Sequence, residues 1–118
     1  MTVAQVRVEQ HDGLPVAFLG GEVDAANAAH VTEELMTAVT NRAPALVLVL
    51  TDTRYLDSAG INLLFQLQQV LQSRRQRLGL VLDGSARLRR VLEISGVLEA
   101  IAVWDDLDSA LTGIEADE

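Results

Sequence analysis

Cysteine and lysine are both missing from this 118-residue chain, and its aromatic residues are one Trp, one Tyr and two Phe. Without cysteine, neither a disulfide framework nor a thiolate metal site can form. His11 and His30 are the only imidazoles, and they have no paired spacing, so no transition-metal cluster is expected. Long apolar runs are missing too. The longest, such as Ala45–Leu50, reaches about six residues against the roughly 20 that cross a bilayer. The first residues, MTVAQVRVEQ, alternate apolar and polar types and lack the apolar core of a secretory signal. With neither GxGxxG nor a Walker loop, a nucleotide cradle has no sequence support. A soluble cytoplasmic domain is the expectation.

What is present is a chain 49% apolar, long enough to bury one core. Its formal net charge of −8 argues against nucleic acid, whose phosphates the domain as a whole would repel. The charge is uneven. Residues 1–53 carry two Arg against seven acids, residues 91–118 carry eight acids and no base, and residues 54–90 hold seven Arg against two Asp. That middle segment is either a solvated face or a surface for an acidic partner.

Val3, Gln5, Arg7 and Glu9 alternate with Ala4, Val6 and Val8, which predicts an edge strand. The His11-Asp12-Gly13 turn leads to a second strand around Val16–Leu19, giving a hairpin. Gly20-Gly21 is expected to break that strand and Asp24 to cap a helix bearing Ala28, Val31, Leu35 and Val39 on one face. The unbroken run Ala45–Leu50 predicts a strand buried on both faces. A second helix carries Ile61, Leu64, Leu67 and Leu71 and is expected to end at Arg74, Arg75 and Arg77, where cations suit the helix dipole. Leu80–Leu82 predict a short strand after Gly79. Ser85 is expected to cap a third helix with Leu88, Val91 and Leu92, closed by Ser95-Gly96. Ala100–Val103 predict the last strand, and Asp105 or Asp106 a cap for a helix with Leu107, Ala110, Leu111 and Ile114. The fold class is therefore α/β: a single domain, β-β-α-β-α-β-α-β-α, with a mostly parallel central sheet, an N-terminal hairpin edge strand and about four helices. Residues 1–114 form the domain and 115–118 an acidic tail expected to fray.

The string Leu56-Asp57-Ser58-Ala59-Gly60 invites a catalytic reading. A serine nucleophile needs a base and oxyanion donors, yet neither histidine has a spacing that brings it to Ser58, and the G-x-S-x-G elbow is absent. Asp52 and Asp57 flank a strand end and could hold Mg²⁺, but solvated loop carboxylates are the commoner outcome. Ser58 follows a strand and precedes an apolar-periodic helix, so it is expected to be the helix N-cap. A phosphoryl group there would add about −1.5 to −2 charges at the positive end of the helix dipole. The helix tolerates that charge, whereas an acidic or apolar partner docked over the same end would not.

Four stretches in order carry a resemblance that runs essentially end to end. They are Gly21-Glu22-Val23-Asp24; residues 45–69, with an apolar strand, Asp57-Ser58-Ala59-Gly60 and an apolar helix; Leu80–Leu82 followed by Val91–Gly96; and Ile101–Trp104 with Asp108–Leu111. Together they resemble the STAS domain, and within it the anti-sigma factor antagonists. That resemblance implies partner switching. The serine after the Asp is phosphorylated by the anti-sigma factor, a serine kinase with a GHKL-type fold, and a PP2C-type phosphatase removes the phosphate. Unphosphorylated antagonist binds the anti-sigma factor and frees the sigma factor. Carried over, Ser58 is the phosphorylation site, and Asp24, Asn27, Asp57, Ser58, Ala59, Gly60 and Asn62 form the partner-binding set. Many relatives have a second hydroxyl residue where this chain has Ala59, which leaves Ser58 as the acceptor in the motif. The chain is then no enzyme, needs no cofactor, and meets neither nucleic acid nor membrane; its oligomeric state is left open. The alternative role is a STAS scaffold, or a signalling module binding a nucleotide or lipid, without sigma output.

Overall fold

The computed structural model describes residues 3–84 and 86–116. Eleven elements follow one another among them: β1 (Ala4–His11), β2 (Leu14–Val23), α1 (Ala28–Ala38), β3 (Ala45–Val49), β4 (Thr53–Leu56), α2 (Ser58–Ser73), β5 (Arg77–Val81), α3 (Ala86–Ile94), α4 (Val97–Ala100), β6 (Ala102–Trp104) and α5 (Leu107–Ala116). The sheet runs β1-β2-β3-β5-β6, with β4 on the outgoing half of β2. Among the described residues only the β1–β2 hairpin pairing is antiparallel; every other ladder is parallel.

The alternation within β3 explains its unbroken apolar sequence. Leu46 and Leu48 point into a core shared with Val31 and Leu35 of α1, Leu64, Leu67 and Leu71 of α2, and Leu88 and Leu92 of α3. Ala45, Val47 and Val49 point the other way, onto Ala110 and Ile114 of α5. Side chains on a strand alternate between faces, so a strand covered on both must be apolar throughout.

Several local expectations are overturned, each by a tertiary partner. Gly20-Gly21 does not end β2. Gly21 lies at φ +88° beside an irregularity in the β2–β4 register, and the strand continues to Val23. A Cβ at Gly21 would collide with the carbonyl oxygen of Val3, so the position needs glycine for both its conformation and its space. Thr53–Leu56, between β3 and α2, is also a strand, β4, because the extension of β2 offers a free edge; buried Thr53 fixes it by donating to the Leu19 carbonyl at 2.6 Å. Gly79 lies inside β5 rather than before it, since Trp104 packs over its missing side chain. Arg77 opens β5 and donates to the Ile114 carbonyl at 2.6 Å, so it does not serve the end of α2. Helix α4 occupies Val97–Ala100, which confines the last strand to Ala102–Trp104. The expected cap of α5 does hold: of Asp105 and Asp106 it is Asp106, which accepts from the Ser109 N–H at 2.7 Å. The expected cap Ser85 lies outside the described residues, as do Asp117 and Glu118; α5 includes Glu115 and Ala116.

Candidate functional site

Two parallel strands end together. Val23 of β2 pairs with Leu56 of β4, so Asp24 and Asp57, the next residues on each strand, emerge side by side at the carboxyl edge of the sheet. The Asp57 N–H donates to the Val23 carbonyl at 3.2 Å and ties the two turns together. In parallel α/β sheets this edge is where sites collect.

The turn after β2 is held by its own side chains. Asp24 Oδ1 accepts from the Ala26 N–H at 2.8 Å, Asn27 Oδ1 accepts from the Asp24 N–H at 3.0 Å, and Asn27 Nδ2 donates to the Glu22 carbonyl at 3.0 Å. Asn27, not Asp24, occupies the N-cap position of α1. Asp24 was expected to cap directly, but its carboxylate closes a turn two residues on, which delays the helix to Ala28.

Ser58 does not cap its helix either. Asp57 is the N-cap of α2: its Oδ1 accepts from the Ala59 N–H at 2.8 Å and from the Gly60 N–H at 3.1 Å. Ser58 is the first helical residue, exposed, and its hydroxyl has no hydrogen-bond partner among the described residues. A carboxylate satisfies two orphan N–H groups and meets the helix dipole, so it outcompetes the adjacent hydroxyl for the cap. Gly60 is buried for a different reason from turn geometry. A Cβ there would stand 3.0 Å from Leu56 Cδ2 and 3.2 Å from the Val23 carbonyl oxygen, so glycine lets α2 start tight against the sheet.

Helices α1 and α2 then run side by side. Between them lies a shallow groove of about 340 Å³, lined by Ala28, Ala29 and Thr32 on one wall and Ala59, Asn62 and Gln66 on the other. Ala28, Ala29, Thr32 and Ala59 keep much of its lining short, which is what close approach by another surface requires. Of the residues expected at the site, Asp24, Asn27, Asp57, Ser58 and Gly60 gather at the paired turns, while Ala59 and Asn62 line the groove. Ala28, Ala29, Thr32 and Gln66 line the same groove and were not singled out from the sequence; the small-residue run Ala25–Ala29 was the available signal.

Among the described residues neither histidine hydrogen-bonds Ser58; each is engaged with a glutamate instead. His11 Nε2 lies 3.1 Å from Glu9 and His30 Nε2 3.0 Å from Glu34. Asp52 and Asp57 flank opposite ends of β4, five residues or roughly 16 Å apart at a strand's rise per residue, too far to share a cation. Among the described residues no helix is long and apolar enough to cross a membrane.

The family model for the STAS domain matches residues 5–110. The chain belongs to the STAS domain family. This STAS domain is 30% identical over 109 residues to the anti-sigma-F factor antagonist RsfB of Mycobacterium tuberculosis, covering 92% of this chain and 88% of the relative. It is 25% identical over 112 residues to the anti-sigma F factor antagonist of Paenibacillus polymyxa, covering 94% and 95% of the two chains. Among solved structures it superposes on an anti-sigma factor antagonist from Mycobacterium paratuberculosis with a TM-score of 0.84 and 29% identity, over 96% of this chain and 95% of that one.

Proposed function

We propose that this STAS domain is an anti-sigma factor antagonist: it binds an anti-sigma serine kinase over the Ser58 edge and the α1–α2 groove, releases the sigma factor, and is switched off by phosphorylation of Ser58. The observation that carries the reading is the separation of cap and hydroxyl. Asp57 holds the N-terminus of α2 through two N–H groups, and Ser58 is exposed, with no side-chain hydrogen bond among the described residues to lose. A phosphoryl group on Ser58 leaves the cap in place and adds about −1.5 to −2 charges beside Asp57 and Asp24. A partner seated there meets a strongly anionic edge in place of a neutral hydroxyl. Asp24, Asn27, Asp57, Ala59, Gly60 and Asn62 shape that edge or contact the partner, and a PP2C-type phosphatase restores the binding form. The named relatives support this assignment.

The test is incubation with the anti-sigma serine kinase and ATP, followed by intact-mass and fragment analysis. One phosphate on Ser58, none on the Ser58→Ala variant, is expected. Modification at another residue, or none at all, would overturn the switch.

A further inference from the structure

We propose that the outward stripe of α3 is a second docking limb of this domain, taking an acidic segment with an apolar residue on the anti-sigma kinase that binds over Ser58. Arg87, Arg90, Val91 and Ile94 recur at helical spacing and share one face. Leu88 and Leu92 point into the core from another face of the helix. Ile94 is 75% exposed, more than any other large apolar side chain among the described residues, and Val91 adds a further apolar surface. The basic residues differ in employment. Arg89 is occupied, donating to the Leu82 carbonyl and to Asp105 at 3.0 Å each, and so fastens α3 to the sheet. Arg87 and Arg90 have no ion-pair partner among the described residues, although Glu93 flanks the stripe.

Two features select the occupant. The stripe is a cationic and apolar patch on a chain of net charge −8, so its complement is locally acidic with an apolar residue to cover Ile94. An anionic bilayer or a nucleic acid would meet the whole acidic domain, whereas a folded partner can confine its carboxylates to this stripe. The position is the second feature. Helix α3 packs on β4, the strand that ends at the Asp57 cap, and β4 itself displays Tyr55 at 53% exposure. Helix α1 packs along α2 at the groove, and α3 packs on β4, which leads directly into α2, so both surfaces adjoin the elements that carry Ser58 and one partner seated there is placed to meet both.

This inference rests on the proposed binding of an anti-sigma kinase, and the experiment separates the two. The wild-type chain, Arg87→Glu/Arg90→Glu, Arg87→Gln/Arg90→Gln, Ile94→Ser and Ser58→Glu are titrated into the kinase that phosphorylates Ser58, at low and high salt. The charge reversal is expected to weaken binding about tenfold or more at low salt, with the loss shrinking at high salt. The Gln pair should lose less and Ile94→Ser several-fold, with unfolding midpoints unchanged. Wild-type affinity in all three α3 variants alongside loss in Ser58→Glu overturns the docking limb and leaves the Ser58 reading standing. Failure of the wild type to bind overturns both. Adsorption of the wild type to phosphatidylglycerol vesicles or duplex DNA, lost in the charge reversal, reassigns the stripe and also overturns the proposal.

Discussion

Replacing Asp57 with alanine separates the two adjacent residues that could start α2. The substitution removes an acceptor from two N–H groups, those of Ala59 and Gly60, and a negative charge from the positive end of a 16-residue helix. N-cap loss costs about 0.5–2 kcal/mol, and the dipole contribution places this site in the upper half of that range. Unfolding entropy of roughly 2.1 cal/mol/K per residue gives about 0.25 kcal/mol/K for this chain, so the loss lowers Tm by about 5–8 °C. Ser58→Ala removes no hydrogen bond within the described structure and should stay within about 0.5 kcal/mol, or 2 °C. Asp57→Asn keeps an acceptor and should fall between the two. Thermal unfolding followed by far-UV circular dichroism measures all three. A Ser58→Ala loss equal to that of Asp57→Ala would return the cap to the serine and refute the separation of fold from switch.

Gly79→Ala should cost about 1–3 kcal/mol by overpacking, because the added carbon would stand 2.7 Å from Trp104 Cζ3 and 3.0 Å from Ile114 Cδ1; the emission of the sole Trp should shift with it, and unchanged emission and stability would contradict the packing. Gly21→Ala combines a positive φ with a backbone collision, so a loss of at least about 2 kcal/mol is expected in urea titration. The Ser109 N–H, and then its hydroxyl, hold the Asp106 carboxyl below the usual carboxylate range. Because the folded value is depressed, its contribution is present above the unfolded value and lost as pH falls through the folded one. The stability difference between wild type and Asp106→Ala should therefore shrink on acidification below about pH 4, measured as urea midpoints, and a difference constant to pH 2 would contradict it.

The framework was legible where one segment decides its own state. The two-faced strand at 45–50, the apolar faces of α1 and α2, and the Asp12-Gly13 hairpin all follow from local pattern, and the order of strands and helices implied the parallel sheet. The misses required a partner distant in sequence. Nothing in Thr53–Leu56 alternates cleanly, and it is a strand only because β2 extends past Gly21 to receive it. Likewise Gly79 reads as a breaker until Trp104 is laid across it. At the candidate site the LDSAG string pointed to the start of α2 but gave the cap to the serine instead of to Asp57. Ser and Asp are both good caps, and only the hydrogen bonds distinguish them. The groove wall from α1 was hidden because Ala28 and Thr32 meet Ala59 and Asn62 through packing that spacing along the chain does not encode.

The central claim is that charge on Ser58 removes a partner without disturbing the fold. Calorimetric titration of wild type, Ser58→Ala and Ser58→Glu into the anti-sigma kinase tests it most directly. The account predicts affinities for wild type and Ser58→Ala within about threefold of each other and at least tenfold weaker binding by Ser58→Glu, with all three unfolding within about 2 °C. Equal affinity for Ser58→Glu and wild type would contradict it.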